Sequence, residues 1–165
     1  MNDRPHDTKD AGKSDRQAAL RHTHRSLPIA LLRAREHVMG PIREMLNKSG
    51  VSEQKWRVLR VLDENGAMEQ SHVAAQACLL LPSLTRMLHA MERDSQITRA
   101  PDRRDGRKSI VSITQIGQQI LRDHADESAA IFAALEERYG ATRLETLLDM
   151  LDALIDPSGD RPQPK

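Results

Sequence analysis

"PDRRDGRKSIVSIT", residues 101–114, sets three arginines, one lysine and two aspartates around a single glycine and then turns into an alternating apolar run. Asp and Gly at this density mark a turn, because an aspartate side chain satisfies nearby backbone donors and glycine accepts tight backbone angles. The flanking segments "QITRAP" and "RKSIVSIT" are short, β-branched and alternating, which predicts two strands, with Ile110 and Ile113 on the second. The result is a hairpin whose tip projects Arg103, Arg104 and Arg107.

Immediately upstream, "QSHVAAQAC" reads as a brief helix and "LPSLTRMLHAMERD" as another, with Pro82 in its first turn. Leu84, Leu88 and Met91, with Met87 beside them, form one apolar face of the second helix, which leaves Ser83, Arg86, His89, Ala90 and Arg93 facing outward. Two short helices in tandem, the second with a polar, basic outer face, are the sequence form of a helix-turn-helix. With the basic hairpin behind it, the arrangement is a winged helix-turn-helix, the paired helices over about 70–94 and the wing over about 97–113. Ala67-Met68-Glu69 predicts one further short strand in front of it.

Farther out, apolar positions Leu27, Leu31, Ala34 and Val38, then Ile42, Met45 and Leu46, recur at helical spacing, with Gly40-Pro41 expected to kink or divide the helix. Ser52 caps the next helix, whose buried stripe is Trp56, Leu59 and Leu62 and whose end is Gly66. From Gln115 to Ile155 the pattern is helical in two pieces that part near Gly140. Leu144, Leu147, Leu148, Leu151 and Leu154 form a stripe with too little partner surface inside so small a chain, so helices 26–49 and 115–155 are expected to build a dimerisation region. A self-contained intrachain bundle is the alternative. Residues 1–25 and 156–165 are polar and read as flexible tails around a domain spanning 26–155. The fold class is mainly α with a small β wing.

The chain has 165 residues and a net charge of +1, but that near-neutrality conceals a division. Residues 21–48 carry six Lys/Arg against two acids and residues 82–109 seven against four, while residues 123–160 carry ten acids against Arg138 and Arg143. A basic part able to hold a polyanion and an acidic part facing away fit a nucleic-acid partner, although solvated helix faces give the same counts. One cysteine, Cys78, cannot form an internal disulfide and points to a reducing compartment; no apolar run reaches membrane-spanning length. A cytoplasmic protein without membrane contact is expected. Convergent catalytic or metal-binding groups are missing from the pattern, with His22 and His24 in the expected tail, so neither an enzyme nor a cofactor or metal requirement is predicted.

The order of elements, "PSLTRMLHAMERD", the Asp105-Gly106-Arg107 wing and "IVSITQIGQQI" resemble the MarR family of bacterial transcriptional regulators from about Ser26 to Ile155. Within that family, "SLPIALLRARE", "SEQKWRVLRVL" and "ACLLLPSLTRML" resemble regulators of homoprotocatechuate degradation. The resemblance implies a homodimer that binds palindromic double-stranded operator DNA, represses an aromatic (homoprotocatechuate or hydroxyphenylacetate) catabolic operon and is released by a small aromatic carboxylate. A regulator answering to a different ligand is the neighbouring reading. The family usually ends the second helix of the pair with glycine, whereas here Ser95 follows Asp94, which costs the cap.

A helix fits the major groove, and Ser83, Thr85, Arg86 and His89 are the candidate base or phosphate contacts, Arg86 foremost because a guanidinium reads guanine with two hydrogen bonds. Thr85 has the alternative of bonding within its own helix and His89 that of simple solvation. Arg103, Arg104 and Arg107 are expected to enter the minor groove or hold phosphates, with Asp105 bracing Arg107. An aromatic carboxylate needs a partly apolar slot with a cation at one end, for which Arg33, Arg35, His37, Trp56 and Arg57 are the candidates; Trp56 by itself reads first as a core anchor. A thiol redox sensor of the same fold would use Cys78, but its "ACLLL" setting predicts a buried, inert thiol.

Overall fold

A computed structural model describes residues 26–156; the expected tails, with His22 and His24, lie outside the described residues, apart from Asp156 at the edge of the second. Among the described residues seven helices and three strands follow one another: α1 (Leu27–Asn47), α2 (Glu53–Asn65), β1 (Met68–Glu69), α3 (Gln70–Gln76), α4 (Leu81–Arg93), β2 (Ile97–Pro101), β3 (Ser109–Ile113), α5 (Gln115–Asp123), α6 (Ala125–Tyr139) and α7 (Ala141–Ile155). The expected mainly helical winged fold is therefore present. The chain forms two compact units that part between Gly40 and Pro41.

Helix α1 is not divided at Gly40-Pro41: Pro41 lies inside one helix of 21 residues. Proline there forfeits one amide donor, but the preceding and following turns keep theirs, so the helix continues at a local cost. In the first unit, Leu27, Leu31 and Leu32 stand exposed. In the second, Ile42, Met45 and Leu46 are buried.

The core of the second unit draws Val58, Leu59 and Leu62 from α2, Val73 and Ala74 from α3, Leu84, Leu88 and Met91 from α4, and Ile97 and Val111 from the sheet. The spacing of these residues in each helix explains why the helices form where they do: each presents one apolar stripe that only packing can remove from water. Ser52 caps α2 by accepting from the Lys55 amide, and Gly66 ends it at φ 76°. The sheet order is β1-β3-β2, antiparallel throughout, with Met68 opposite Val111 and Ile97 opposite Ile113.

Both helices of the helix-turn-helix end in the same way. After α3, the Leu79 amide reaches the Ala74 carbonyl and Cys78 the Ala75 carbonyl; after α4, Gln96 reaches Met91 and Ser95 reaches Glu92. This paired pattern requires a left-handed residue just past the helix, and Cys78 (φ 51°) and Ser95 (φ 57°) supply it without being glycine. The conformation turns the Cys78 side chain outward, and the thiol is exposed rather than buried as the apolar neighbours suggested.

The C-terminal helical stretch is in three pieces. The additional break falls at His124, which ends α5 and starts α6. Its ring is buried: Nδ1 donates to the Ile120 carbonyl at 2.8 Å, Nε2 meets Ser49 Oγ at 2.7 Å, and the ring stands edge-on to Trp56. No residue of α7 is buried, and Leu147, Leu148, Met150, Leu154 and Ile155 are exposed.

Candidate nucleic-acid interface and ligand cleft

Helix α4 carries the division its sequence implied. Leu84, Leu88 and Met91 are fully buried, while Ser83, Arg86, His89 and Arg93 are exposed. Thr85 is tied down: its hydroxyl donates to the Leu81 carbonyl at 2.9 Å and accepts from Gln70 Nε2 at 2.5 Å, which fixes α3 against α4. The intrahelical alternative for Thr85 is thus the geometry found, with one oxygen lone pair left over.

The turn between β2 and β3 is built by its aspartates. Asp102 Oδ1 accepts from the amides of Arg104 (2.6 Å) and Asp105 (3.0 Å), and these bonds hold its carboxyl below the usual carboxylate range. Asp105 Oδ1 accepts from the Arg107 amide at 3.1 Å and faces Arg107 Nε at 3.6 Å, the contact expected of a brace. Arg103, Arg104 and Arg107 are exposed, Arg107 to 95% of its side chain. Lys108 leaves the turn for Glu69 (2.8 Å), which also accepts from Ser71 at 2.7 Å. The Lys108 bond lowers the Glu69 carboxyl and, reciprocally, Glu69 raises the Lys108 ammonium. The hairpin is thereby fastened to the start of α3.

A second fastening joins the wing to α4. Arg99 on β2 donates to Glu92 Oε2 from Nε (3.0 Å) and Nη2 (2.5 Å), and Nη2 also lies 2.9 Å from His89 Nδ1. The Arg99 bonds hold the Glu92 carboxyl below its ordinary range. Nothing in the spacing of the sequence marked Arg99 and Glu92, because their pairing depends on where β2 returns past the last turn of α4.

The junction below is sealed by the Thr114-to-Gly117 turn. Thr114 Oγ1 accepts from the Gly117 amide, capping α5, and donates to the Ser95 carbonyl at 2.6 Å. A Cβ on Gly117 would stand 2.3 Å from the Gln96 carbonyl oxygen, so glycine is required by close approach.

An open cleft of about 350 Å³ lies between α2 and the α5–α6 junction, lined by Trp56, Leu121, Ala125, Ser128, Ala129 and Phe132 and by the charged Arg60, Asp63 and Glu64. Trp56 is largely buried, so it anchors the core while edging the cleft. Arg57 is not in the lining; its guanidinium faces Glu53 at 3.8 Å. The cation present is Arg60, one helical turn beyond Trp56 and bonded to Glu64. The i,i+4 relation to Trp56 was the available signal for it. Arg33, Arg35 and His37 lie on the exposed part of α1 in the first unit, where Arg35 pairs with Glu36 at 3.0 Å. Among the described residues no cluster of His, Cys, Asp or Glu is suited to hold a metal ion, and no helix is long and apolar enough to cross a membrane.

A helix pair with one exposed cationic face, closed by a three-stranded sheet that holds out an arginine-tipped turn, defines a winged helix-turn-helix protein. The MarR family pattern matches residues 51–109. The chain is also 35% identical to the homoprotocatechuate degradative operon repressor of Escherichia coli over 80% of its own length and 89% of the relative's. It belongs to the MarR family, and the likeness to regulators of homoprotocatechuate degradation is borne out. Among solved structures, NadR in complex with 4-hydroxyphenylacetate superposes with a TM-score of 0.74 at 32% identity, covering 83% of this chain and 97% of that one. The repressor CouR bound to a 23-mer DNA duplex does so with a TM-score of 0.71 at 26% identity, covering 79% and 92%.

Proposed function

We propose that this protein is a homodimeric transcriptional repressor that holds operator DNA through α4 and the wing and releases it when a small aromatic carboxylate binds. The observation that carries this reading is the juxtaposition of an exposed Ser83-Arg86-His89 face with an arginine-tipped hairpin, tied to α4 by Arg99–Glu92 and to the start of α3 by Lys108–Glu69. In a dimer the two α4 helices enter successive major grooves, about 34 Å apart, with Arg86 reading a base and Arg103, Arg104 and Arg107 holding phosphates or the minor groove. Ser83 adds a hydroxyl at the N-terminal part of the face, whereas Thr85, its proton given to Leu81, would serve only as an acceptor. The unburied stripe of α7, and that of α1 in its own unit, support dimerisation through the terminal helices. The likeness to a 4-hydroxyphenylacetate complex supports an aromatic acid as effector; we assign it to the Trp56-Arg60 cleft, where Trp56 and Phe132 give aromatic walls and Arg60 would have to leave Glu64 to meet the carboxylate.

The test is fluorescence anisotropy of a labelled palindromic fragment from the protein's own upstream region at several salt concentrations, with and without hydroxyphenylacetates. Salt-dependent binding that outcompetes a scrambled duplex and weakens with one aromatic acid is expected. Specific binding that no aromatic acid shifts would overturn the effector, and no preference for any duplex would overturn the regulator reading.

A further inference from the structure

The Arg99–His89 contact fixes more than the orientation of a strand. A guanidinium carries only donors, so a nitrogen 2.9 Å from Arg99 Nη2 must be accepting, and that nitrogen is His89 Nδ1. The ring proton of neutral His89 then resides on Nε2, the nitrogen on the far side of the ring. We infer that Arg99 is a positioning residue for DNA recognition: anchored on Glu92, it holds His89 in one tautomer so that Nε2–H is offered from the exposed face of α4 as a donor to a DNA acceptor, a purine N7 or a phosphate oxygen.

Three features support this role over direct DNA contact by Arg99. Its guanidinium is engaged by two bonds to Glu92, and its side chain is only 18% exposed, unlike that of Arg107. His89 itself is exposed on the same helix face as Arg86, one turn on. Without Arg99, a solvated imidazole still favours Nε2–H but admits an Nδ1–H fraction and many rotamers, and the fixed direction of the donor is lost. The inference rests on the DNA-binding reading of α4.

Two measurements test it on the full chain. Long-range ¹H–¹⁵N correlation of the His89 ring, without DNA, is expected to show the Nε2–H tautomer in the wild type and a tautomer mixture in Arg99→Met. Selection from a randomised duplex pool then compares wild type, His89→Ala, His89→Gln and Arg99→Met. His89→Ala and Arg99→Met are expected to lose about fivefold to tenfold discrimination at the same symmetry-related pair of positions if the acceptor is a purine, with His89→Gln retaining part of it. A uniform loss of affinity with unchanged base preference in both variants also supports the inference, with phosphate as the acceptor. An Nδ1–H tautomer in the wild type, or affinity and preference unchanged in His89→Ala, overturns it. Affinity and preference unchanged in Arg99→Met also overturn it; should that variant unfold, Arg99→Gln takes its place with the same readings. A pool from which the wild type enriches nothing refutes the regulator reading instead, and the tautomer measurement keeps the two failures apart.

Discussion

Replacing Gly117 by alanine places a methyl group where three atoms already stand. The Cβ would lie 2.3 Å from the Gln96 carbonyl oxygen, 2.8 Å from Ile113 Cγ1 and 3.0 Å from Leu59 Cδ2. The leucine methyl can rotate away. The carbonyl oxygen cannot, because it is backbone and already accepts from the Thr114 amide at 3.1 Å. Clearing the overlap means shifting α5 or the chain after α4 by about 1 Å, and overpacking of this kind costs about 1–3 kcal/mol. Alanine recovers about 0.5–1 kcal/mol of helical preference, so the net loss is centred on about 1 kcal/mol and reaches about 2.5 kcal/mol. In urea, at fixed protein concentration, a loss of about 1 kcal/mol lowers the unfolding midpoint by about 0.5 M. Gly40→Ala serves as the control: nothing lies within 4 Å of its Cβ position, and its midpoint should rise or stay. A Gly117→Ala midpoint at or above that of the wild type would refute the packing argument.

Ser95→Gly relieves a left-handed serine and should raise stability by about 0.5–1 kcal/mol, seen as a higher urea midpoint with an unchanged slope. Because the Asp102 carboxyl is held below its ordinary value, the order it gives the wing is complete above the ordinary carboxylate range and lost as pH falls through the depressed value. Amide resonances of Arg104 and Asp105 should therefore hold steady at neutral pH and move together only in strong acid; movement between pH 5 and 7 would contradict the assigned bonds. Arg86→Ala is expected to relax sequence preference by about 1–3 kcal/mol, whereas Arg103→Gln and Arg104→Gln should weaken all duplexes alike and reduce the salt slope by about one per phosphate contact removed. Cys78, being exposed, should react with a thiol reagent in the native protein without prior unfolding, and Cys78→Ser should leave DNA affinity unchanged; a lost oxidative response in that variant would revive the redox reading.

Periodicity exposed those parts of the fold whose burial follows from sequence spacing alone. Leu84, Leu88 and Met91 named the inner face of α4, and the Asp and Gly content of 102–106 named the wing turn before any strand was seen. Where helical spacing continues unbroken, as across His124, the break coincides with a ring that turns back to the Ile120 carbonyl and reaches Ser49, and the Ser49 contact, 75 residues away, is one that the local pattern does not carry. Of the two outcomes expected at Gly40-Pro41, a kink or a division, the division does not occur, since α1 runs on through Pro41. At the site, the exposed arginines were legible because charge at a turn tip has nowhere else to go. Arg60 and Arg99 were not, because the first belongs to a cleft shared with α5 and α6 and the second to a strand that crosses back over α4. The exposure of Cys78 turned on one backbone angle rather than on the polarity of its neighbours.

The Thr114–Ser95 bond and the glycine pressed on Gln96 also have a mechanical meaning. A joint with neither a spare hydrogen bond nor room for a methyl has no slack, so a tilt of α5 carries the tail of α4 with it. On the proposed reading, helix α5 would serve as a lever arm whose fulcrum is that turn, carrying a small displacement where Leu121 borders the cleft to α4.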